Sequence, residues 1–203
     1  MTIQAGRDDA AGAQPVGGRD HGGRDLRGHL RQATAQAHHR LDSGWAGHDL
    51  GEPRAYGGFL AAMAAALVPI EADLALADPG ALPSDWPARR RSAALRADLA
   101  ALGLPVPPEP AAPRAPTGAE AAGLLYVLEG SRLGGQLLLR QALASADPRV
   151  RDNTRFLRHG EGQRLWPSFA AWLGARPAAD TDGAVAGALR AFALFEAAQG
   201  SGF

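Results

Sequence analysis

The feature that most constrains this chain is a strongly helix-forming stretch that contains three glycines. Residues 126–140 read YVLEGSRLGGQLLLR, so Gly130, Gly134 and Gly135 lie among leucines. Each glycine inside a helix costs about 1 kcal/mol relative to alanine, so something must offset that cost. Gly130 and Gly134 share one helix face, with Gly135 at its edge. That bare backbone admits either a neighbouring helix or a flat ligand, and it also permits a kink.

Two catalytic motifs do not fit this glycine stretch. A nucleophile elbow needs glycines at the positions of Glu129 and Leu133. A phosphate-binding loop needs lysine and then serine or threonine after its last glycine, where Gln136 and Leu137 stand. The use of the bare face must therefore be sought elsewhere in the chain.

Composition excludes several classes of partner. The chain has 203 residues, a formal net charge of zero and no cysteine. Zero net charge does not favour nucleic acid or an acidic membrane surface. The beginning of the sequence lacks a signal core, and no apolar run reaches the roughly 20 residues of a membrane helix. The absence of cysteine rules out disulfides and thiolate ligation. These features predict a soluble, cytoplasmic protein with no nucleic-acid or membrane partner.

Hydrophobic periodicity predicts an all-α fold without strands. The predicted helices are 26–43, 54–73, 89–102, a helix capped by Thr117 and Glu120 that runs through the glycine stretch, 153–173, and one from about 182. Gly160 and Gly162 are expected to interrupt the helix at 153–173 near His159. Gly44 is the expected end of the first, residues 103–118 are a proline-rich loop, and Arg89 to Arg91 are expected on a solvated face. Residues 1–25, which include His21, are predicted to be a disordered tail before a helical domain at 26–203.

The first predicted helix carries a polar stripe beside its apolar one. Arg31, Thr34, His38 and Asp42 recur at steps of three or four residues. Neighbouring residues point about 100° apart on a helix, so His38 and His39 cannot both face one site. His38 leans toward the apolar side. The alternative interpretation is a histidine pair at the solvent edge.

Two stretches together resemble the heme oxygenase family, in particular its bacterial, biliverdin-producing branch. They are residues 30–42 (LRQATAQAHHRLD) and 126–135 (YVLEGSRLGG), and the resemblance covers about residues 26–199. The first resembles the family's proximal helix, in which a threonine and an acidic residue lie four positions before and after the histidine that ligates heme iron. The second resembles the distal helix, whose glycines let the backbone pass close over the heme.

The resemblance implies a single-domain helical bundle with heme between the proximal helix and a kinked distal helix. It implies His38 as the iron ligand and a distal catalytic face made of Gly130, Ser131, Gly134 and Gly135. The residues it implies for heme binding are Arg31, Thr34, Asp42, Tyr126 and Arg132. A carboxylate such as Asp42 can orient the imidazole through its second nitrogen.

The implied cofactor is heme b, iron protoporphyrin IX, which is also the substrate, with dioxygen as co-substrate. The implied reaction cleaves heme to biliverdin, carbon monoxide and ferrous iron. Its electrons come from an external donor such as a ferredoxin, a reductase or ascorbate, and a bilin-binding photoreceptor is one candidate acceptor of the product.

One position departs from the family pattern and keeps an alternative open. Many members carry an aspartate directly after the first distal glycine, where this chain has Ser131. A non-catalytic heme-binding or heme-carrier protein of the same fold is therefore the alternative. A thiamin-degrading or diiron enzyme of this fold is a further one, but the chain lacks the Glu-x-x-His repeats of a diiron site. The second anchor for heme carboxylates is expected among Arg155, Arg158 and Arg164.

Overall fold

The computed structural model describes residues 25–45 and 47–200, which form helices joined by turns and loops, with no strand in either range. The predicted all-α fold is confirmed. The helices are α1 (Leu26–Ala33), α2 (Ala35–Trp45), α3 (Pro53–Leu74), α4 (Trp86–Arg89), α5 (Ser92–Ala101), α6 (Gly118–Leu143), α7 (Pro148–Arg151), α8 (Arg155–Arg158), α9 (Leu165–Gly174) and α10 (Thr181–Gln199). All but Asp25 of the predicted tail at 1–25, His21 included, lies outside the described residues. The division into that tail and a domain at 26–203 therefore stays a prediction.

Helix α3 lies in the hydrophobic core, and most of its residues are buried. Among the described residues it is the one helix long and apolar enough to cross a membrane, yet 67% of its most apolar window is buried inside the protein. Its composition is thus accounted for by core packing against α5 and α10.

Helix α6 crosses α10 at a contact that requires glycine on both helices. A Cβ added to Gly123 would lie 1.8 Å from the carbonyl oxygen of Ala184, and one added to Gly187 would lie 2.2 Å from that of Glu120. The start of α6 is fixed by the predicted capping box, in which Thr117 and Glu120 exchange side-chain and backbone hydrogen bonds. Close packing thus uses the first half of α6, before the glycine stretch begins.

The first predicted helix is two helices, because the chain turns at Thr34. The Thr34 hydroxyl donates to the Leu30 carbonyl at 2.7 Å, and the residue leaves helical geometry with φ −99° and ψ 1°. Such back-bonding is known to bend helices. The predicted stop at Gly44 was wrong by one residue, since α2 ends at Trp45.

Two other predicted helices are also interrupted. The predicted interruption of the 153–173 helix near His159 is confirmed, because Gly160 and Gly162 adopt φ of +82° and +77° between α8 and α9. The predicted helix at 89–102 breaks at Arg90, because the buried Glu71 carboxylate accepts hydrogen bonds from the backbone N–H groups of Arg91 and Ser92 at 2.6 and 3.1 Å. These bonds cap the start of α5.

Candidate functional site

A cavity of about 810 Å³ is lined by α1, α2 and the glycine stretch of α6. Its volume falls within the roughly 300–1,000 Å³ typical of cofactor and ligand sites. Its apolar lining comes from α2, α3, α10 and the α8 region, with Trp45, Phe59, Met63, Phe156 and Phe192 among the residues. The predicted site residues that line it are Arg31, His38, Asp42, Tyr126, Gly130, Ser131, Arg132, Gly134 and Gly135. Thr34 is the predicted member that does not.

The glycine face of α6 borders open space. A Cβ added to Gly130 or Gly134 would meet no atom within 4 Å outside its own stretch of helix, and one added to Gly135 would first meet Leu157 Cδ2 at 3.9 Å. Within the described residues, no other helix packs against Gly130 or Gly134, and α8 contacts only the edge of the face at Gly135. The sequence left two uses for the bare backbone of α6, a neighbouring helix or a flat ligand. Helix packing occurs at Gly123, opposite α10, whereas Gly130 and Gly134 face the cavity and leave room for a ligand.

His38 presents one ring nitrogen for ligation. Its Nδ1 lies 2.9 Å from Asp42 Oδ2, one helical turn away, with both side chains about two-thirds exposed. The edge of the ring also contacts Phe192, with the ring centroids 6.0 Å apart. Because Nδ1 takes the carboxylate, Nε2 is left to face a ligand. The cavity lining includes His38 and not His39, as the helical register predicts.

One end of the cavity is basic. Arg27 and Arg31 of α1 both line it, and the Arg27 guanidinium lies 5.4 Å from the centre of the Trp166 ring. Arg27 was not predicted, although its spacing of four from Arg31 places both on one helix face. Two adjacent guanidinium groups suit the carboxylates of a ligand.

Thr34 supports Tyr126 from behind the cavity wall. Thr34 is 2% exposed and makes a side-chain hydrogen bond with Tyr126. Burial raises the pKa of the Tyr126 phenol, while the bond to Thr34 and the charges of Arg27 and Arg31 oppose that rise. The structure thus makes Thr34 a support for a cavity residue.

The C-terminal arginines do not reach the cavity. Arg155 pairs with Asp98 at 3.0 Å and Arg158 with Glu161 at 3.0 Å, and neither these nor Arg164 line it. The cavity lining gives no support to an anchor among them, and that expectation stays a prediction. The sequence offered no way to choose, because partners such as Asp98 are distant along the chain.

A buried charge network lies under the glycine stretch. Glu129, 1% exposed, accepts a hydrogen bond from Arg89 Nη1 at 2.8 Å and from Arg132 Nε at 3.1 Å. Arg89 and Arg91 are themselves only 1% and 5% exposed, so the prediction of a solvated face for them was wrong. Arg89 is held further by Asp85, the Leu165 carbonyl and Ser168.

Ser131 is held by the same network. Its hydroxyl donates to the Leu128 carbonyl at 2.7 Å and accepts from Arg91 Nη2 at 2.9 Å. Burial, with the nearby charge of Arg132, lowers the pKa of the Arg91 guanidinium to about 9. A serine hydroxyl carries a single donor, so Ser131 has none left for the cavity in this arrangement.

The fold and the cavity define an all-helical protein with a cofactor-sized site that combines one exposed imidazole with an open glycine face. No family model matches the chain. A heme oxygenase of Xanthomonas campestris is 41% identical to it over 117 residues, which cover 55% of this chain and 68% of that protein. The heme oxygenase PigA of Pseudomonas aeruginosa is 43% identical over 89 residues, covering 42% and 44%.

A solved structure supports the same fold. The NO- and CO-bound heme oxygenase from Neisseria meningitidis superposes with a TM-score of 0.69 at 23% identity, over 87% of this chain and 91% of that one. At 23% identity, this structural similarity supports the fold alone. The Xanthomonas relative, 41% identical and covered over 68% of its length, shows the family. The protein belongs to the heme oxygenase family and is an enzyme of that family.

Proposed function

We propose that this protein cleaves heme to biliverdin, carbon monoxide and ferrous iron, as a member of the bacterial, biliverdin-producing branch. The observation that carries the proposal is that His38 and the open face of Gly130 and Gly134 line one cavity from two different helices. The space that a side chain would fill at these glycines suits a flat macrocycle. Heme would supply the iron that activates dioxygen and, in its porphyrin ring, the bond that is cleaved.

In this proposal the proximal side is held by His38. Donation of Nδ1–H to Asp42 selects the tautomer with a free electron pair on Nε2 and fixes the direction of the ring. His38 would hold the heme iron through this one nitrogen, and the iron would supply the binding of dioxygen. Asp42 therefore acts through His38 as a positioning residue.

We propose that Arg27 and Arg31 bind the heme carboxylates. Both line the end of the cavity next to Tyr126, and guanidinium groups pair with carboxylates in a fixed two-donor geometry. Phe59, Met63 and Phe156 make part of the cavity lining apolar. This part suits the edge of the porphyrin that lacks carboxylates.

On the distal side, the proposed role of the glycines is to leave the iron face without a side chain that competes for bound ligand. Ser131 keeps its hydroxyl proton on Leu128, so it accepts hydrogen bonds in the cavity and does not donate them. Arg132 is committed to Glu129 and His159 and contributes its positive charge. A Ser131→Ala variant is expected to slow turnover by no more than about 10²-fold.

We propose that the electrons come from an external donor such as a ferredoxin, a reductase or ascorbate. A bilin-binding photoreceptor is the candidate acceptor of biliverdin. The proposed location is the cytoplasm. The location is inferred from the absence of cysteine.

The test is aerobic reduction of the purified heme complex with ascorbate, and in parallel with a ferredoxin system, followed by absorption spectroscopy and extraction of the pigment. The expected result is loss of the heme bands, appearance of biliverdin and release of carbon monoxide. Tight heme binding without biliverdin, with either reductant, would contradict the proposal and support a heme carrier.

A further inference from the structure

The loop after α8 brings a histidine to the distal part of the cavity. His159 follows α8 directly and lines the cavity together with Ser131 and Arg132. The next residue, Gly160, has φ +82°, and a Cβ there would lie 2.4 Å from Leu165 Cδ1 and 3.5 Å from Arg132 Nη1. The loop is thus packed closely against the start of α9, and the hydrogen bond from Arg132 to the His159 carbonyl ties it to α6.

Arg132 fixes the orientation of the His159 ring. Its Nη1 lies 3.2 Å from His159 Nδ1 and donates to the His159 carbonyl at 3.1 Å. A guanidinium group has only donors, so Nδ1 must be the acceptor in this contact. The ring is therefore the tautomer that carries its proton on Nε2.

The surroundings also keep this ring neutral. Burial lowers the pKa of His159, and the positive charges of Arg132 on α6 and Arg91 beside α5 lower it further. Glu129, the acidic group nearby, is paired with Arg132 and Arg89. A second proton on Nδ1 would have to displace Arg132.

The hydrogen bonds of the other polar groups on this side of the cavity go to protein atoms. The Ser131 hydroxyl donates to Leu128, and Arg91 Nη2 donates to Leu128 and Ser131. Arg132 Nε, Nη1 and Nη2 all donate to protein atoms. Within residues 25–45 and 47–200, no protein acceptor takes the hydrogen on His159 Nε2.

We propose that His159 is a positioning residue whose Nε2–H donates a hydrogen bond to a water beside Ser131, and that this water donates to the ligand at the sixth position of the heme iron. The inference rests on the proposed function of the same cavity. Ser131 Oγ has a second electron pair available for the same water. A donor on a neutral ring would then hold the water next to Ser131, whose own hydroxyl proton is bonded to Leu128.

His159 does not supply the proton itself in this account. Loss of the Nε2 proton from a neutral ring would create an imidazolate, and uptake of a proton at Nδ1 is blocked by Arg132. The ring therefore fixes the direction of the water without a change of its own charge, and the reaction draws its protons from solvent through that water.

The test uses azide binding to the ferric heme complex, followed by absorbance, in wild type, His159→Asn and His159→Gln. Asparagine can keep an acceptor near the Nδ1 position for Arg132 but loses the distant donor, whereas glutamine can keep a donor near the Nε2 position. Azide is an anion, so a water that donates to it strengthens its binding. Loss of this bond is expected to weaken azide binding about tenfold in H159N, with H159Q within about threefold of wild type.

Wild-type azide affinity in H159N would overturn the inference, and so would equal weakening in H159N and H159Q, which indicates a structural role of the ring. Circular dichroism and thermal unfolding check that each variant is folded. If only one variant folds, its azide affinity alone decides, because the inference predicts loss in H159N and retention in H159Q. Failure of wild type to form an imidazole-ligated heme complex would overturn this inference and the proposed function together. That failure is read from the heme spectrum before azide is added, so the two outcomes are distinguishable.

Discussion

Replacement of Glu129 by glutamine tests the buried charge network under the distal glycines. The Glu129 carboxylate is 1% exposed and faces Arg89 at 2.8 Å and Arg132 at 3.1 Å. Glutamine has nearly the same shape, but it removes the negative charge and replaces one acceptor oxygen with an NH2 group that faces guanidinium donors. Asp85 still pairs with Arg89, whereas Arg132 has no other carboxylate partner among the described ion pairs.

The magnitude follows from this geometry. Breaking a buried ion pair by removal of one partner costs about 3–5 kcal/mol, because an uncompensated buried charge remains. Arg89 and Arg132 both lose the Glu129 carboxylate, but Arg89 keeps its ion pair with Asp85. We therefore expect Glu129→Gln to lower the free energy of unfolding by about 3–5 kcal/mol. A loss of that size is a large part of the roughly 5–15 kcal/mol that stabilises a typical domain.

The assay is urea unfolding of the heme-free protein followed by circular dichroism. The matched control is Glu161→Gln, the same substitution in the exposed Arg158–Glu161 pair, whose side chains are 44% and 60% exposed. It should cost less than about 1 kcal/mol. Equal, small losses in both variants would refute the conclusion that Glu129 compensates buried charge.

Three further predictions concern the cavity. Gly134→Leu should weaken heme binding at least about tenfold, with little loss of stability. The control is Gly174→Leu, at another glycine whose Cβ would meet open space, and this variant should bind heme normally. Spectroscopic heme titration measures both affinities. Arg27→Ala should weaken heme binding by up to about tenfold, one charge-assisted hydrogen bond, and Arg164→Ala should not, in the same titration. The pKa of His159 is lowered in the folded protein, so the unfolded chain takes up a proton that the folded ring does not. The free energy of unfolding should therefore fall as the pH drops below about 6.5. His159→Gln should remove that part of the pH dependence, as measured by urea unfolding at several pH values.

Local patterns allowed much of the fold to be predicted from the sequence. The periodicity of α3 and α10 and the capping signal of Thr117 and Glu120 depend on residues close in the chain, and the structure confirms them. The helix breaks at Thr34 and Arg90 were missed because they depend on side-chain hydrogen bonds. The Thr34 hydroxyl ends α1, and Glu71, about twenty residues earlier in the chain, caps α5.

The site was predicted only as far as its residues lie on the two helices that carry the family resemblance. Arg91 and His159 were missed because their places in the cavity depend on partners in α6, Ser131 and Arg132. The sequence also could not distinguish two kinds of glycine in α6. Gly123 and Gly134 differ only in what lies opposite them, which is a carbonyl of α10 in one case and open space in the other.

The measurement that tests the central claim most directly is the spectrum of the ferrous, carbon-monoxide-bound heme complex in His38→Ala and His39→Ala. The two residues are neighbours on α2, but the cavity lining includes only His38. We expect His38→Ala to lose the spectrum of an imidazole-ligated heme while its helical content stays unchanged, and His39→Ala to keep it. Retention of the imidazole-ligated spectrum in His38→Ala, or its loss in His39→Ala, would contradict the assignment of His38 as the iron ligand opposite the glycine face.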